Sequence, residues 1–138
     1  MAKTGSGRRK FIQAGLAAAV AGMPTFAQGL DAKVPATSMF IHHVYFWLNN
    51  PTSQADFNKL VDGLKKLSKV SSIRAFYIGK PADTNREVID RSYQVSWLLM
   101  FDSKADQDLY QKDPIHLRFV EECSSLWSKV VVYDSVDI

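Results

Sequence analysis

Phe40-Ile41-His42-His43-Val44-Tyr45-Phe46-Trp47-Leu48 is the stretch whose reading decides the fold. It has the aromatic and β-branched content of a strand and almost no polar residues. Side chains alternate along a strand, so they divide into two sets. One set is Ile41, His43, Tyr45 and Trp47, and the other is Phe40, His42, Val44, Phe46 and Leu48. Both sets are largely apolar, which predicts a strand covered on both faces. In a small domain one cover is the chain's own helices. The other is expected to be a second copy of the chain.

Downstream, Asn49-Asn50-Pro51 reads as a turn, and Ser53 with Asp56 three residues later has the spacing of a capping box. Phe57, Leu60, Val61, Leu64 and Leu67 follow at amphipathic helical spacing, with Lys59, Lys65, Lys66 and Lys69 on the wet side. Ile73 to Ile78 reads as a second strand ended by Gly79-Lys80-Pro81. Ala82 to Arg91 is a polar loop carrying Asp83, Arg86, Glu87 and Asp90, and Tyr93 to Phe101 is a third strand. Ser103 and Asp106 repeat the capping pattern and open a short helix through Tyr110. Asp113-Pro114 then stops that helix and starts another, because aspartate caps well and proline is tolerated at the first helical position. His116, Phe119, Val120, Cys123, Leu126 and Trp127 are expected on one face of this last helix, and Val130 to Tyr133 is the closing strand. The order β-α-β-β-α-β predicts an antiparallel four-stranded sheet with helices on one face, an α+β fold of the ferredoxin-like kind.

Residues 1–27 read as an export signal rather than as fold. Lys3, Arg8, Arg9 and Lys10 precede an apolar run from Phe11 to Met23, and Thr25-Phe26-Ala27 resembles a cleavage site. The run is short for a membrane span, which takes roughly 20 apolar residues. Gly7-Arg8-Arg9-Lys10-Phe11-Ile12 resembles the twin-arginine type, and an ordinary secretory signal with two arginines is the alternative. The expected location is therefore periplasmic or extracellular, with residues 28–38 a tether and residues 39–138 the domain.

Removing the signal changes the charge. The whole chain carries 17 basic and 14 acidic residues. Four of the basic ones lie in the signal, and the remainder is close to neutral. The high pI therefore gives no reason to expect nucleic-acid binding, and no membrane span is expected in the mature chain. The single cysteine, Cys123, excludes an intramolecular disulfide and reads as a buried thiol. No glycine-rich phosphate loop, Gly-x-Ser-x-Gly elbow or Cys-x-x-Cys is present, so no cofactor is called for. His42 and His43 point to opposite faces, and His43 with His116 lacks a third ligand at recognisable spacing, so no metal site is expected.

Tyr110-Gln111-Lys112-Asp113-Pro114-Ile115-His116 carries the candidate chemistry. It sets a phenol and an imidazole on either side of the helix break. A neutral imidazole can accept a proton near pH 7, and the positive end of the helix dipole favours that form. A phenol in reach can orient a carbonyl. The same residues can equally be architecture, with His116 packed into the apolar face and Tyr110 closing the core.

These residues resemble the stress-responsive A/B barrel domain (Dabb) family. The likeness rests on Ile41-His42-His43-Val44-Tyr45-Phe46, on Tyr110-x-x-x-Pro114-x-His116-x-x-Phe119, and on Trp127-Ser128-Lys129-Val130-Val131-Val132-Tyr133-Asp134. It spans roughly Met39 to Val136. The resemblance implies a dimeric α+β barrel, two sheets packed face to face with helices outside. A cofactor-independent plant polyketide cyclase in the family uses a tyrosine and a histidine at this spacing. Carried over, Tyr110 and His116 match that catalytic pair, and His43 matches a pocket histidine on the opening strand. Tyr45, Trp47, Phe119, Trp127, Val130 and Val132 then fall where pocket walls would be, and Trp97 joins them from the third strand. Asp113 departs from the histidine often found before the proline, and Tyr45 and Trp47 are bulkier than the family's usual residues. Three functions follow: an exported homodimer holding a small apolar or aromatic ligand, a cyclase-like lyase or isomerase acting through Tyr110 and His116, or a structural dimer whose pocket is filled by its own side chains.

Overall fold

The structure is a computed structural model and describes residues 38–138; the expected export signal and nearly all of the expected tether lie outside these residues. The elements run β1 (Phe40–Leu48), α1 (Gln54–Leu67), β2 (Ala75–Gly79), β3 (Val95–Phe101), α2 (Lys104–Lys112), α3 (Pro114–Cys123), a 3-10 turn (Ser124–Leu126) and β4 (Trp127–Val136). The sheet order is β2-β3-β1-β4, with every pair antiparallel. This is the ferredoxin-like α+β arrangement, with β1 and β3 central.

Burial alternates along β1. Phe40, His42, Val44, Phe46 and Leu48 are buried, and the residues between them are half-buried. The buried set faces the helices, where it packs with Val95, Trp97, Leu99 and Phe101 of β3, Leu60, Leu64 and Leu67 of α1, and Phe119 and Cys123 of α3. Burying each such side chain contributes about 1.5–3 kcal/mol. The other face of the sheet carries Ile41, His43, Tyr45 and Trp47, continued by Leu98 and Met100 of β3, Tyr77 of β2 and Tyr133 of β4 at paired positions. Tyr77 and Tyr133 are 62% and 64% exposed. This face is broad and aromatic, and none of the described residues covers it.

The local signals act as the sequence suggests. Ser53 Oγ accepts from the Asp56 amide at 3.2 Å, and Ser103 Oγ accepts from the Asp106 amide at the same distance. Asp113 is extended (φ −63°, ψ 136°), and its Oδ1 accepts from the Ile115 amide at 2.8 Å with Pro114 next to it. One residue thus ends α2 and caps α3. The expected long face on the last helix is corrected: α3 stops at Cys123, Leu126 lies in the 3-10 turn and Trp127 opens β4. β4 runs further at both ends than the expected Val130 to Tyr133, because it pairs with all of β1, from Phe40↔Val136 to Leu48↔Trp127.

Gly63 sets the distance between α1 and α3. A Cβ there would sit 2.7 Å from Cys123 Sγ and 3.2 Å from the Phe119 ring. The helices meet where a side chain is missing.

Candidate functional site

The break at Asp113 turns the chain so that Tyr110, in the last turn of α2, meets His116, in the first turn of α3. Their ring centroids are 4.6 Å apart. Both line one cavity of about 180 Å³ between the sheet and the helices. Trp97, Phe119, Trp127, Val130 and Val132 line it too.

The remaining expected wall residues are elsewhere. His43, Tyr45 and Trp47 lie on the opposite, open face of β1. The reason is strand parity: Val44 pairs with Trp97 and His42 with Leu99, so even-numbered β1 residues share the helix side with the β3 core. The pocket histidine is therefore His42, joined by Val44 and Phe46. Tyr45 and Trp47 cannot fill this cavity. On their own face, Tyr45 Oη lies 3.1 Å from His43 Nδ1, and the Tyr45 ring sits edge-on to Tyr93 and Tyr133 at 4.9 and 6.0 Å. Trp47 Nε1 donates to Ser92 Oγ at 2.9 Å, with Lys129 Nζ 4.4 Å from its ring centroid.

His42 brings a partner that sequence reasoning missed. Its Nδ1 lies 2.6 Å from Asp134 Oδ1, across the β1–β4 ladder. A carboxylate oxygen accepts, so Nδ1 is the donor in this contact. His42 is 5% exposed, and its ring is 5.9 Å from that of Tyr110. Gln111 and Val120 are the other unexpected lining residues. The Tyr-x-x-x-Pro-x-His spacing found the pair on the helices. The Asp134 contact depends on register between strands 92 residues apart.

Electrostatics divide the roles. Tyr110 is 2% exposed, and Trp97 Nε1 donates to its oxygen at 3.2 Å. Burial holds its phenol protonated far into alkali, against the smaller opposing pull of the Trp97 bond. With Trp97 as donor, the Tyr110 O–H keeps its own proton to donate. Burial also pushes the His116 imidazole below its ordinary value, aided by His42 and opposed by the Gln111 backbone and Asp113. His116 is therefore neutral at pH 7. Its buried Nδ1 makes no hydrogen bond of good geometry among the described residues, although the Gln111 backbone lies near enough to the ring to oppose the shift. An apolar cavity thus meets a hydroxyl donor, an oriented imidazole and a neutral imidazole with an unused nitrogen.

Fold and cavity together define a class: ferredoxin-like α+β domains with a histidine- and tyrosine-bearing pocket between sheet and helices. Residues 40–137 match the model of the Stress responsive A/B Barrel Domain, and the chain belongs to this Dabb family. Among solved structures it is similar to a Dabb family protein with a ferredoxin-like fold from Mesorhizobium loti (23% identity, TM-score 0.62, covering 73% of this chain and 98% of that one). It is also similar to the hydroxynitrile lyase of Passiflora edulis (20% identity, TM-score 0.62, covering 74% and 95%). A third is a dimeric ferredoxin-like protein of unknown function from Thermobifida fusca (14% identity, TM-score 0.61, covering 72% and 92%). At these identities the likeness is one of fold. No curated protein matches the sequence.

Proposed function

We propose that the protein is an exported Dabb homodimer that binds a small apolar or aromatic molecule bearing one hydrogen-bonding group. The observation that carries this reading is the unpartnered, buried Nδ1 of His116 beside a cavity whose walls are mostly apolar. A buried polar atom without a partner costs free energy that a ligand's polar group would recover. Titrating the full chain with acetophenone, followed by NMR, tests it. Saturable shifts at Tyr110, His116 and Trp97 are expected, and they should be lost in His116→Phe. No saturable shift at millimolar ligand, or equal binding by the variant, would refute it.

The other half of the proposal is the dimer. Supporting it are the uncovered aromatic face around Tyr45 and Tyr133, and structural neighbours described as dimeric. Analytical ultracentrifugation at micromolar concentration decides it, a monomer being the contrary result. Export through a twin-arginine-type signal rests on residues 1–27, and replacing Arg8 and Arg9 by lysine should retain the protein in the cytoplasm of a bacterial host.

The His42–Asp134 pair favours a second reading, cofactor-independent acid–base chemistry of the cyclase or lyase kind. A proton on the carbon next to a bound carbonyl would pass to an imidazole nitrogen. The oxygen that gains the charge would be held by the Tyr110 hydroxyl. Positioned acid–base catalysis of this kind gives roughly 100- to 10,000-fold. Deuterium incorporation into the methyl group of acetophenone, monitored in D2O, measures it. Rates that Tyr110→Phe and His116→Phe leave unchanged would exclude the pair as catalysts.

A further inference from the structure

On the outer side of the helical layer, a depression of about 210 Å³ lies along the seam between α1 and α3. Its floor is apolar, formed by Leu67 and Phe119 with Gly63 between the helices and Ile115 at one end. The missing side chain at Gly63 draws the helices together there. Lys66 stands on the α1 lip, Lys69 just beyond the end of α1 and Arg118 on the α3 lip, beside one carboxylate, Glu122. Among the described residues none of these three cations has a carboxylate within ion-pair distance, whereas Lys65 and Lys104 do. The three cations therefore converge on one apolar hollow and outnumber its one carboxylate, with none of them in an ion pair among the described residues. Like charges held close together favour an anion between them.

We infer that this seam is a binding site for a small amphipathic carboxylate, a short acyl or aryl chain with one acid group. The apolar body lies on Leu67, Phe119 and Ile115, and the carboxylate sits between Lys66, Lys69 and Arg118. Arginine can hold the carboxylate by two parallel bonds, and the lysines act as point charges. The site is separate from the His42–Tyr110–His116 cavity. The two share one wall, Phe119, which lines both.

Octanoate is the probe, with 1-octanol as the uncharged control, each titrated into the full chain and followed by amide NMR. The expected result is saturable octanoate shifts at Gly63, Leu67 and Ile115. Exposed ion pairs are each modest, so octanol should bind roughly five- to tenfold more weakly and the octanoate preference should fall in 0.5 M salt. The surface substitutions Lys66→Glu, Lys69→Glu and Arg118→Glu together should abolish the preference and leave acetophenone binding unchanged. Equal affinity for octanol and octanoate overturns the inference. So do octanoate shifts confined to His42, Tyr110 and His116, or sedimentation with anionic phosphatidylglycerol vesicles in place of saturable octanoate binding.

Discussion

The two faces of β1 each carry a histidine among aromatic residues, yet they stand in different surroundings. On the helix side, His42 is buried, tied to Asp134 and set against Tyr110 and His116. On the open side, His43 is half-buried and stacks on Tyr45, whose neighbours Tyr93 and Tyr133 extend the patch over the sheet. Adjacent residues of one type thus serve a cavity on one side and a surface on the other. What separates them is the cover: helices give the first face fixed partners and a hollow, and among the described residues the second face has its strand neighbours and the loop residues Ser92 and Tyr93. A residue's chemistry here is decided by its parity in the strand.

Substitutions on the two sides should break different things. The largest effect belongs to Phe46→Ala, which empties the core beside Phe119 and Trp127. It should cost about 3–5 kcal/mol of folding stability in urea denaturation. Tyr45→Glu on the open side should leave a folded monomer. A charge placed in an aromatic contact surface should weaken self-association roughly 100-fold, read by sedimentation. A stable dimer of Tyr45→Glu would mean that this face is not the interface. Gly63→Ala lies off the strand and serves as a control for the helical cover. Its Cβ would overpack Cys123 and Phe119, for a loss of about 1–3 kcal/mol with the open face untouched.

The smallest effect is a pH dependence in which the two faces can be told apart. His116 and His43 both have imidazoles pushed below the ordinary value, mainly by burial. In the unfolded chain each takes up a proton near pH 6.5, while the folded chain resists it. The unfolded state then binds more protons, so stability is fully present above pH 6.5 and declines as pH falls below it. Each group contributes at most about 1.4 kcal/mol per pH unit. His116→Gln and His43→Gln should each flatten part of the slope measured in urea between pH 7 and pH 5. If neither changes it, the acid sensitivity lies in the carboxylates.

The fold was legible because its signals are local. Ser53, Ser103 and Asp113-Pro114 act on amides two or three residues away, and their geometry follows from spacing alone. The Tyr110–His116 juxtaposition was legible for the same reason, since the helix break that joins them is written between them. The assignment of His43, Tyr45 and Trp47 to the pocket failed where local reasoning offers no distinction: both faces of β1 are apolar, so pattern cannot say which one the helices cover. Trp97 held the answer through its pairing with Val44, which requires knowing the register. Asp134 was out of reach altogether, being a tail residue until β4 is seen to run the length of β1. Trp127 was placed on a helix because its spacing from Cys123 fits one, although a 3-10 turn intervenes.

The fit of Cys123 against Gly63 bears on redox chemistry. The sulfur is buried and lies 2.7 Å from where a Cβ on Gly63 would be, and burial pushes its thiol pKa up. Thiolate is the reactive form, and burial with a raised pKa holds the sulfur back from reagents. In an oxidising compartment such a thiol is protected from disulfide exchange as long as α1 and α3 stay together. Its rate of alkylation then becomes a clock for the separation of the two helices, readable in the unmodified protein without any added label.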